Sequence, residues 1–502
     1  MVIDRLKQSA ECRFTTMRFS ILHISDLHRD PNDEIPSGWL LESLEQDFDQ
    51  FGKQDPEIIR PALCIVSGDL VHGVKPDSED ADKELVRQYG QAEEFLVGLA
   101  ERFFGADRDR VIILPGNHDV CFDDVMKSVR KISIPTELDI RERLVARLFA
   151  PNSKVRWSWR DMCFFEITDD ERYRDRFRHF STIYKNFYQQ RHTYSLEPEK
   201  QFDVFDFPDL GFCVVTLNSC FNNDPFRRAG TLDPNALVEV RRALRQIDRV
   251  GWITAAAWHH NIAGGPTQDD YLDPGFLQLL IDAGAVLGFH GHQNLSECFD
   301  ERYRLGSNPR KITIISASTL CAEPHNLQPG VPRSYNVVEI DSDALIGRVH
   351  QRQMVNMQFN LPVWGPGHFN SNNRSFFDFE LCKPLATRPA QLDVQQILDR
   401  ADKLLGSHQW REAIAVLDDI KENSLARPLL VRALDELNDG RLTIARLWPP
   451  LNNGEAVRLG GAILDCGTPE EAAAFVRLAL VSDSEDASVQ EVSRRVSRRR
   501  DK

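Results

Sequence analysis

Carboxylate, amide and imidazole side chains stand at five places in this sequence directly after an apolar run. These five polar blocks are Asp26-Leu27-His28, Gly68-Asp69, Gly116-Asn117-His118-Asp119, His259-His260-Asn261 and His290-Gly291-His292-Gln293-Asn294. Oxygen and imidazole ligands without thiolates are the set that hard or borderline divalent ions prefer. If the blocks meet in space, they predict a site for divalent metal ions.

The apolar runs ahead of the blocks explain how the blocks could meet. They cover residues 19–25, 63–67, 111–115, 252–258 and 285–289. An apolar run of this length that ends at glycine or a polar residue is typical of a buried parallel strand. In open α/β sheets, the loops at the carboxyl ends of such strands converge on one crevice. Helical patterns at residues 40–48 and 85–99 lie between the first three runs, which favours strand–helix–strand units.

The order of the blocks resembles that of the calcineurin-like metallophosphoesterases. The family pattern is D-x-H, G-D, G-N-H-[DE], a histidine after a strand, and G-H-x-H, and the first four blocks stand here in order. The resemblance covers residues 17–383. It implies an α/β fold in which two sheets pack as a sandwich flanked by helices, and it implies a hydrolase acting on phosphoester bonds.

The resemblance also implies roles for individual residues. Two divalent ions would share one carboxylate, matched here by Asp69, and would activate a water for in-line attack on phosphorus. His118 matches a catalytic group that stabilises the phosphoryl oxygens or protonates the leaving group. Mn²⁺ is the expected ion, with Fe, Zn or Mg as alternatives. The other predicted metal ligands are Asp26 and His28 for the first ion, Asn117 and His259 for the second, and His292 and Asn294 from the last block.

The last block departs from the family pattern. If Gly291-His292 is the glycine–histidine pair, Asn294 stands where the family has its second histidine. If His290 and His292 are the two histidines, Phe289 replaces the glycine. We favour the first frame because a small residue ahead of a ligand lets the chain turn sharply into the site. Asn294 would then offer the first ion an amide oxygen, a weaker ligand than imidazole for a transition metal.

Residues 121–205 interrupt the alternation of strands and helices and form a cap-like insertion rich in arginine and aromatic residues. Two interpretations stay open. In the commoner case, the aromatic residues are the packed face of an amphipathic helix whose arginines face water. Alternatively, the arginines bind substrate phosphates and the rings stack on bases. The residues concerned are Arg172, Arg174, Arg176 and Arg178, with Tyr173, Phe177, Phe180, Tyr184, Phe187 and Tyr188.

Beyond a proline-containing boundary at residues 384–389, the sequence pattern is helical. We predict an α-helical domain over residues 390–485 and a basic tail at 486–502. The segment 404–413 resembles a helical hairpin of tetratricopeptide type, although no clean second copy follows at the expected period. Such a domain would bind a protein partner. The basic tail is more typical of a disordered, solubilising end than of a nucleic-acid-binding arm.

The composition limits what the protein could do. The net charge of −15 disfavours a general polyanion-binding surface over the 502 residues. No apolar stretch approaches the ~18 residues of a membrane span, and the N-terminus lacks the apolar core of a secretory signal. The ten cysteines show no paired metal spacing. We therefore expect a cytoplasmic protein with reduced thiols and no membrane partner.

These patterns lead to one principal hypothesis and two alternatives. The principal hypothesis is a binuclear-metal phosphodiesterase that acts on nucleotides or nucleic acid, and the cap motivates that choice of substrate. The first alternative is a phosphomonoesterase that acts on a small metabolite. The second is a weakly active scaffold that acts through its helical domain, which would require the loss of further site residues.

Overall fold

The computed structural model of the chain describes residues 18–500 except 33–34, 77, 150–152, 247–248, 250, 263–270, 273–274, 303–309, 322–326, 328–329, 357–360, 370–373, 383–389, 419, 422, 424 and 483. The chain forms two compact units that divide near residue 386. The boundary expected at 384–389 lies outside the described residues. Among the described residues, no helix is long and apolar enough to cross a membrane.

The first unit contains all the strands of the described chain. They are β1 (Arg18–Ile24), β2 (Leu63–Val66), β3 (Val111–Ile113), β4 (Val129–Ile132), β5 (Val155–Ser158), β6 (Cys163–Ile167), β7 (Phe202–Phe207), β8 (Phe212–Leu217), β9 (Ile253–Ala257), β10 (Leu287–His290), β11 (Glu297–Arg302), β12 (Lys311–Ser316), β13 (Ser334–Asp341), β14 (Ile346–Met354), β15 (Trp364–Pro366) and β16 (Phe376–Glu380). Its helices are α1 (Ser37–Phe48), α2 (Ala81–Phe103), α3 (Phe122–Ser128), α4 (Leu138–Leu148), α5 (Asp170–Arg174), α6 (Arg178–Phe187), α7 (Pro234–Gln246) and α8 (Gly275–Ala283).

Two mixed sheets make the body of this unit. The first has the strand order β15-β14-β13-β1-β2-β3, with β16 beside β14, and the second has the order β11-β12-β10-β9-β8-β7. One buried apolar cluster includes side chains of both sheets, and the rings of Phe19 and Phe212 lie 5.3 Å apart across it. This arrangement is the predicted α/β sandwich, because each sheet buries one face against the other.

The register of the parallel strands brings the polar blocks to one edge. In the first sheet, Ile24 pairs with Val66, and Val66 pairs with Ile113. In the second sheet, Ala257 pairs with Phe289. The five strands that precede the polar blocks therefore end level with their neighbours. Parallel strands that end together place their following loops side by side.

The insertion at residues 121–205 has a small sheet of its own, in the order β4-β6-β5, and helices on either side of it in sequence. The aromatic residues of α5–α6 pack inward: Phe177, Phe180, Tyr184, Phe187 and Tyr188 are all buried in the main apolar cluster. The packing interpretation is therefore correct for these rings, which are not available to stack on bases, but not for Arg176, which is buried rather than in water.

The side chains of three of the four arginines of the same segment have partners within the unit. Arg174 pairs with Glu197 at 3.0 Å. Arg176 is buried and donates to the carbonyl oxygens of Tyr173 and Phe221. Arg178 pairs with Asp82 and Asp124.

The second unit is helical, as predicted. Its helices are α9 (Ala390–Gly406), α10 (Trp410–Asp418), α11 (Ala426–Leu437), α12 (Gly440–Leu447), α13 (Asn453–Cys466), α14 (Pro469–Val476), α15 (Ala479–Ser482) and α16 (Ala487–Arg500). The second helices of three successive hairpins begin at Trp410, Gly440 and Pro469, about 30 residues apart. A recurrence of this kind is a sign of stacked helical repeats, and the sequence pattern alone did not reveal it.

The prediction of a separate basic tail is corrected by α16. This helix places Val489 and Val496 in the same buried cluster as Leu459 and Phe475 of α13 and α14. Because two valines seven residues apart share one helix face, the arginines between them occupy the other faces. The segment is therefore an amphipathic helix of the second unit rather than a disordered end.

Candidate metal centre

The first two polar blocks lie side by side at the ends of β1 and β2. The backbone N–H of Asp26 donates to the carbonyl oxygen of Gly68 at 3.1 Å, and that of His28 donates to the carbonyl oxygen of Asp69 at 3.0 Å. The ladder between the strands thus continues past their ends. It fixes the spacing of the two carboxylates through the backbone, independently of any side-chain contact.

Five of the predicted site residues have left-handed backbones. The φ values are +52° at Asp26, +44° at His28, +52° at Asp69, +75° at His292 and +55° at Asn294. Non-glycine residues adopt positive φ uncommonly, and strained backbones of this kind cluster at functional sites. All five of these residues lie in the loops that follow β1, β2 and β10, at the shared edge.

Glycines in three of the blocks allow this close approach. A Cβ atom on Gly116 would overlap the Asp69 side chain. A Cβ atom on Gly291 would overlap Ser25 Oγ and would lie 2.6 Å from Asp26 Oδ2. Gly68, at φ +97°, leaves no room for a Cβ atom beside the His259 ring. Each glycine is therefore required because a side chain of another block occupies the space.

Asp119 ties the second and third blocks together. Its Oδ2 atom accepts the N–H groups of Gly116 at 2.8 Å and Leu70 at 3.2 Å, and its Oδ1 atom accepts the hydroxyl of Tyr89 at 3.0 Å. Burial and the nearby Asp69 charge raise the pKa of Asp119 to about 7. This carboxyl group positions the backbone of the site.

Two groups of side chains from the polar blocks could each hold a metal ion, and Asp69 belongs to both. The first group is His28, Asp69 and His118, and the second is Asp69, His259 and His292. In the first, His28 Nε2 lies 3.9 Å from Asp69 Oδ2 and 3.7 Å from Asp26 Oδ1. In the second, His259 Nε2 lies 3.3 Å from Asp69 Oδ2. A carboxylate shared by two ligand groups is the arrangement expected of a bridging ligand.

The second group also contains the predicted amide ligand. His259 Nε2 lies 2.9 Å from Asn117 Oδ1 and 3.2 Å from His292 Nδ1. The other ring nitrogen of His259 donates to the carbonyl oxygen of Ser67 at 2.8 Å, which fixes the ring so that Nε2 faces the site. A hydrogen bond of this kind behind a histidine is the usual support for a metal ligand.

The charges and the donor atoms fit divalent ions. Asp26 and Asp69 are 1% and 2% exposed, and no lysine or arginine of the described chain pairs with either. His28 Nδ1 is buried without a hydrogen-bond partner among the described residues. Burial alone would lower the pKa of His259, but Asp69 outweighs burial and raises that pKa to about 10. The site therefore attracts positive charge, and its donors are those that divalent metals prefer.

His118, the predicted catalytic group, lies within reach of the first ligand group. Its backbone N–H donates to Asp69 Oδ1 at 2.8 Å, and its ring centre lies 4.7 Å from that of His28. Burial lowers the pKa of His118, and the Asp69 charge opposes this only in part. Since its ring reaches the first ligand group, its catalytic role stays a prediction.

The residues of the last block occupy different places. His290 is the last residue of β10, is fully buried, and has its ring 5.8 Å from that of Trp258. It belongs to neither ligand group. The backbone N–H of His292 donates to Asp26 Oδ2 at 3.0 Å, which places His292 at the site. Asn294 follows, and its backbone carbonyl oxygen accepts a hydrogen bond from the hydroxyl of Ser318 at 2.7 Å.

Sequence reasoning missed Ser219, which positions the fourth block. Ser219 Oγ accepts the backbone N–H groups of His259 and His260, both at 3.1 Å, and lies 2.9 Å from His260 Nδ1. Its signal was present, because Asn218 and Ser219 directly follow the apolar run of β8. This run is a sixth strand that ends in polar residues at the same edge.

A cavity of about 780 Å³ opens beside the two ligand groups, and we call it the crevice. Lys75 and Arg228 line it, together with Asn223, and sequence reasoning had singled out none of them. None of Arg172, Arg174, Arg176 and Arg178 lines it. The predicted contact between these arginines and a bound substrate is therefore wrong for the crevice. Its lining also includes His72, Gly73, Asn117, His118 and His292, and the acidic residues Glu84 and Asp224.

Comparisons with known proteins agree with this geometry. A family model described as calcineurin-like phosphoesterase matches residues 19–294, a range that holds all five blocks. No curated protein matches the chain.

Solved structures that match the chain include the following three. GAP50, the anchor in the inner membrane complex of Plasmodium, is 9% identical, with a TM-score of 0.32 over 74% of this chain and 91% of that chain. The phosphopantetheinyl hydrolase of Mycobacterium tuberculosis is 12% identical, with a TM-score of 0.29, and the match covers 62% of this chain and 92% of that chain. The calcineurin-like phosphoesterase YfkN of Bacillus subtilis is 12% identical, with a TM-score of 0.28, and the match covers 80% of this chain and 99% of that chain.

Proposed function

The chain belongs to the calcineurin-like phosphoesterase family and is a metal-dependent hydrolase of phosphoester bonds, and we propose that it cleaves phosphodiester bonds of nucleotides or nucleic acid. The proposal depends on one observation. The crevice extends from the two ligand groups past two exposed cations, Lys75 and Arg228. A substrate with only one small phosphoryl group would leave both cations unused.

The chain's own residues define what the site does with a phosphoester. Asp26, His28 and Asp69 would hold the first ion, with Asn294 completing its ligands. Asp69, Asn117, His259 and His292 would hold the second. We propose Mn²⁺ for both positions, because the ligands are nitrogen and oxygen atoms. The bound ions would supply the Lewis acidity that polarises the phosphoryl group and lowers the pKa of the attacking water.

His118 would supply the proton of the reaction. Its Nδ1 atom is held by a backbone carbonyl, so Nε2 is the atom that can donate to a phosphoryl or leaving-group oxygen. A protonated imidazole at that position also stabilises negative charge that develops on the phosphoryl oxygens.

Lys75 and Arg228 are candidates for binding the remainder of the substrate. Neither forms an ion pair with an acidic residue of the described chain. This distinguishes them from Arg174 and Arg178 of the cap, which are paired. Because guanidinium and ammonium groups bind phosphate oxygens, unpaired cations at the crevice support a substrate with charge on both sides of the scissile bond.

The proposal is tested by substrate comparison with Mn²⁺. We expect hydrolysis of bis-p-nitrophenyl phosphate to exceed that of p-nitrophenyl phosphate in kcat/KM. Arg228→Gln should raise KM for a dinucleotide or single-stranded DNA by about 10-fold. Arg174→Gln is the matched control, since it removes an exposed arginine that does not line the crevice. Faster cleavage of the monoester, or equal effects of the two substitutions, would contradict the proposal.

Two other expectations stay predictions. The nine described cysteines are free, which supports a cytoplasmic location. The helical unit would bind a protein partner, and its recurring hairpins support that role.

A further inference from the structure

A second cavity adjoins the crevice and leads onto the cap. Its volume is about 330 Å³, and Pro76, Pro225 and Arg228 line both cavities. Trp157, Trp159 and Phe226 give it aromatic walls, and Met126 also lines it. Ser158, Arg160 and Asp161 add polar groups. A concave surface that combines apolar walls with a few polar groups is typical of a small-molecule site.

The indole of Trp159 is the notable feature of this cavity. It lies in the turn between β5 and β6 and is 78% exposed. Its ring centre lies 5.8 Å from that of Trp157, edge to face, and Trp157 packs in turn on Phe164 at 4.8 Å. Burying an aromatic side chain of this size is favourable, and this one stays in water on a rigid support.

The small sheet of the cap is held by buried contacts to the segment after β8 that carries Asp224 and Arg228, which we call the crevice loop. Arg156 of β5 pairs with Asp224 at 2.6 Å, and both side chains are buried. The hydroxyl of Tyr173 donates to the same carboxylate at 2.9 Å. The rings of Phe165 and Phe226 stack at 4.6 Å. The position of Trp159 relative to Arg228 is therefore fixed by buried contacts, so the second cavity is a built site.

We propose that this second cavity is a base subsite, in which the indole of Trp159 stacks on the planar base of a nucleotide whose phosphate lies in the crevice. This inference depends on the proposed function and names its substrate class. Arg228 lines both cavities, where its charge complements the phosphate of the bound nucleotide. Tryptophan stacks on any base, because every base has a π face.

The test compares two substrates with the same leaving group. These are p-nitrophenyl thymidine 5′-phosphate, which carries a base, and methyl p-nitrophenyl phosphate, which does not. With the full chain and Mn²⁺, Trp159→Ala should lower the ratio of their kcat/KM values by about 10-fold. Trp159→Phe should retain most of the ratio. Met162→Ala, in the same turn but outside the cavity, should leave it unchanged.

Binding gives a second readout that needs no turnover. Calorimetric titration with thymidine 5′-phosphate should show a Kd about 10-fold weaker for Trp159→Ala than for Met162→Ala. If wild-type protein cleaves neither ester yet binds the nucleotide through Trp159, the proposed function fails and the base subsite stands. If both esters are cleaved but neither the ratio nor the Kd responds to Trp159→Ala, the subsite is overturned and the phosphodiesterase stands.

Discussion

His118 Nδ1 lies 2.6 Å from the backbone carbonyl oxygen of His72, and this hydrogen bond determines which ring nitrogen is free for chemistry. The carbonyl can only accept, so Nδ1 donates and Nε2 is left for the substrate. The loop after β2 thereby orients a residue from the loop after β3. This contact between two strand ends fixes the neutral His118 ring as the tautomer with its proton on Nδ1, and a backbone carbonyl rather than a carboxylate does so.

His118→Ala should therefore lower kcat by about 10²–10⁴ while both metal ions stay bound, because an acid or charge-stabilising group is lost and no ligand is. Steady-state kinetics and metal analysis of the purified variant check this. His72→Ala keeps the backbone carbonyl and is the matched control, whose turnover should fall far less. Loss of one ion from His118→Ala would show that His118 is a ligand.

Asp69→Asn should abolish activity more completely than any other single ligand substitution. The reason is that Asp69 belongs to both ligand groups, so an amide there weakens both ions at once. Metal content by mass spectrometry should fall from two ions toward none. Asp80→Asn, at an exposed carboxylate paired only with Lys83, is the control. If Asp69→Asn keeps both ions and more than about a tenth of the wild-type rate, Asp69 is not the carboxylate that bridges the two ions.

The two frames of the last block predict opposite outcomes. If Asn294 completes the first ion, Asn294→Ala should lower the metal content by one ion and His290→Ala should lower it by none. We expect this result, because His290 lies within β10 and Gly291 is the residue whose Cβ atom would overlap the site. Metal stoichiometry of both variants decides the matter. An ion lost from His290→Ala alone would restore the other frame.

Arg156→Gln should destabilise the first unit by about 3–5 kcal/mol, since it leaves the Asp224 carboxylate buried and unpaired. Denaturant unfolding followed by tryptophan fluorescence measures the change. Arg130→Gln removes an exposed arginine that pairs with Glu166 and should cost under about 1 kcal/mol. Equal losses in the two variants would mean that the Arg156–Asp224 pair does not clamp the cap.

His192 gives the first unit a pH-dependent contribution to stability. Burial alone would lower its pKa, but Asp203, whose Oδ2 atom lies 2.8 Å from Nδ1, raises the pKa above 6.5. A raised pKa in the folded state stabilises the protein fully below pH 6.5, and that stabilisation is lost as pH rises through the folded value. His192→Gln should therefore cost up to about 1 kcal/mol at pH 5.5 and less at pH 9. In an Asp203→Asn background, the pH dependence of this difference should shrink, and the remainder should come from Asp109, whose Oδ1 atom lies 3.7 Å from His192 Nε2.

Much of the candidate site could be predicted from the sequence, because its signals are local. A buried strand requires a continuous apolar run, and a polar residue directly after that run is carried to the sheet edge. Asp26, Asp69 and His259 each follow such a run. The glycines of the blocks could be found in the same way. The sequence could not show why glycine is required there, since each glycine makes room for a side chain from a distant part of the chain.

The role of the cap was decided only by the tertiary structure. The periodicity of residues 173–188 identified an aromatic helix face correctly, but it could not show what covers that face or neutralises its arginines. One of the two partners of Arg178 is Asp82, nearly a hundred residues earlier in the chain. Trp159 carried no periodic signal, and only the packing of β5 on the crevice loop brings it near Arg228. Patterns along the chain report short-range preferences, whereas charge pairing and cavity walls depend on contacts between distant segments.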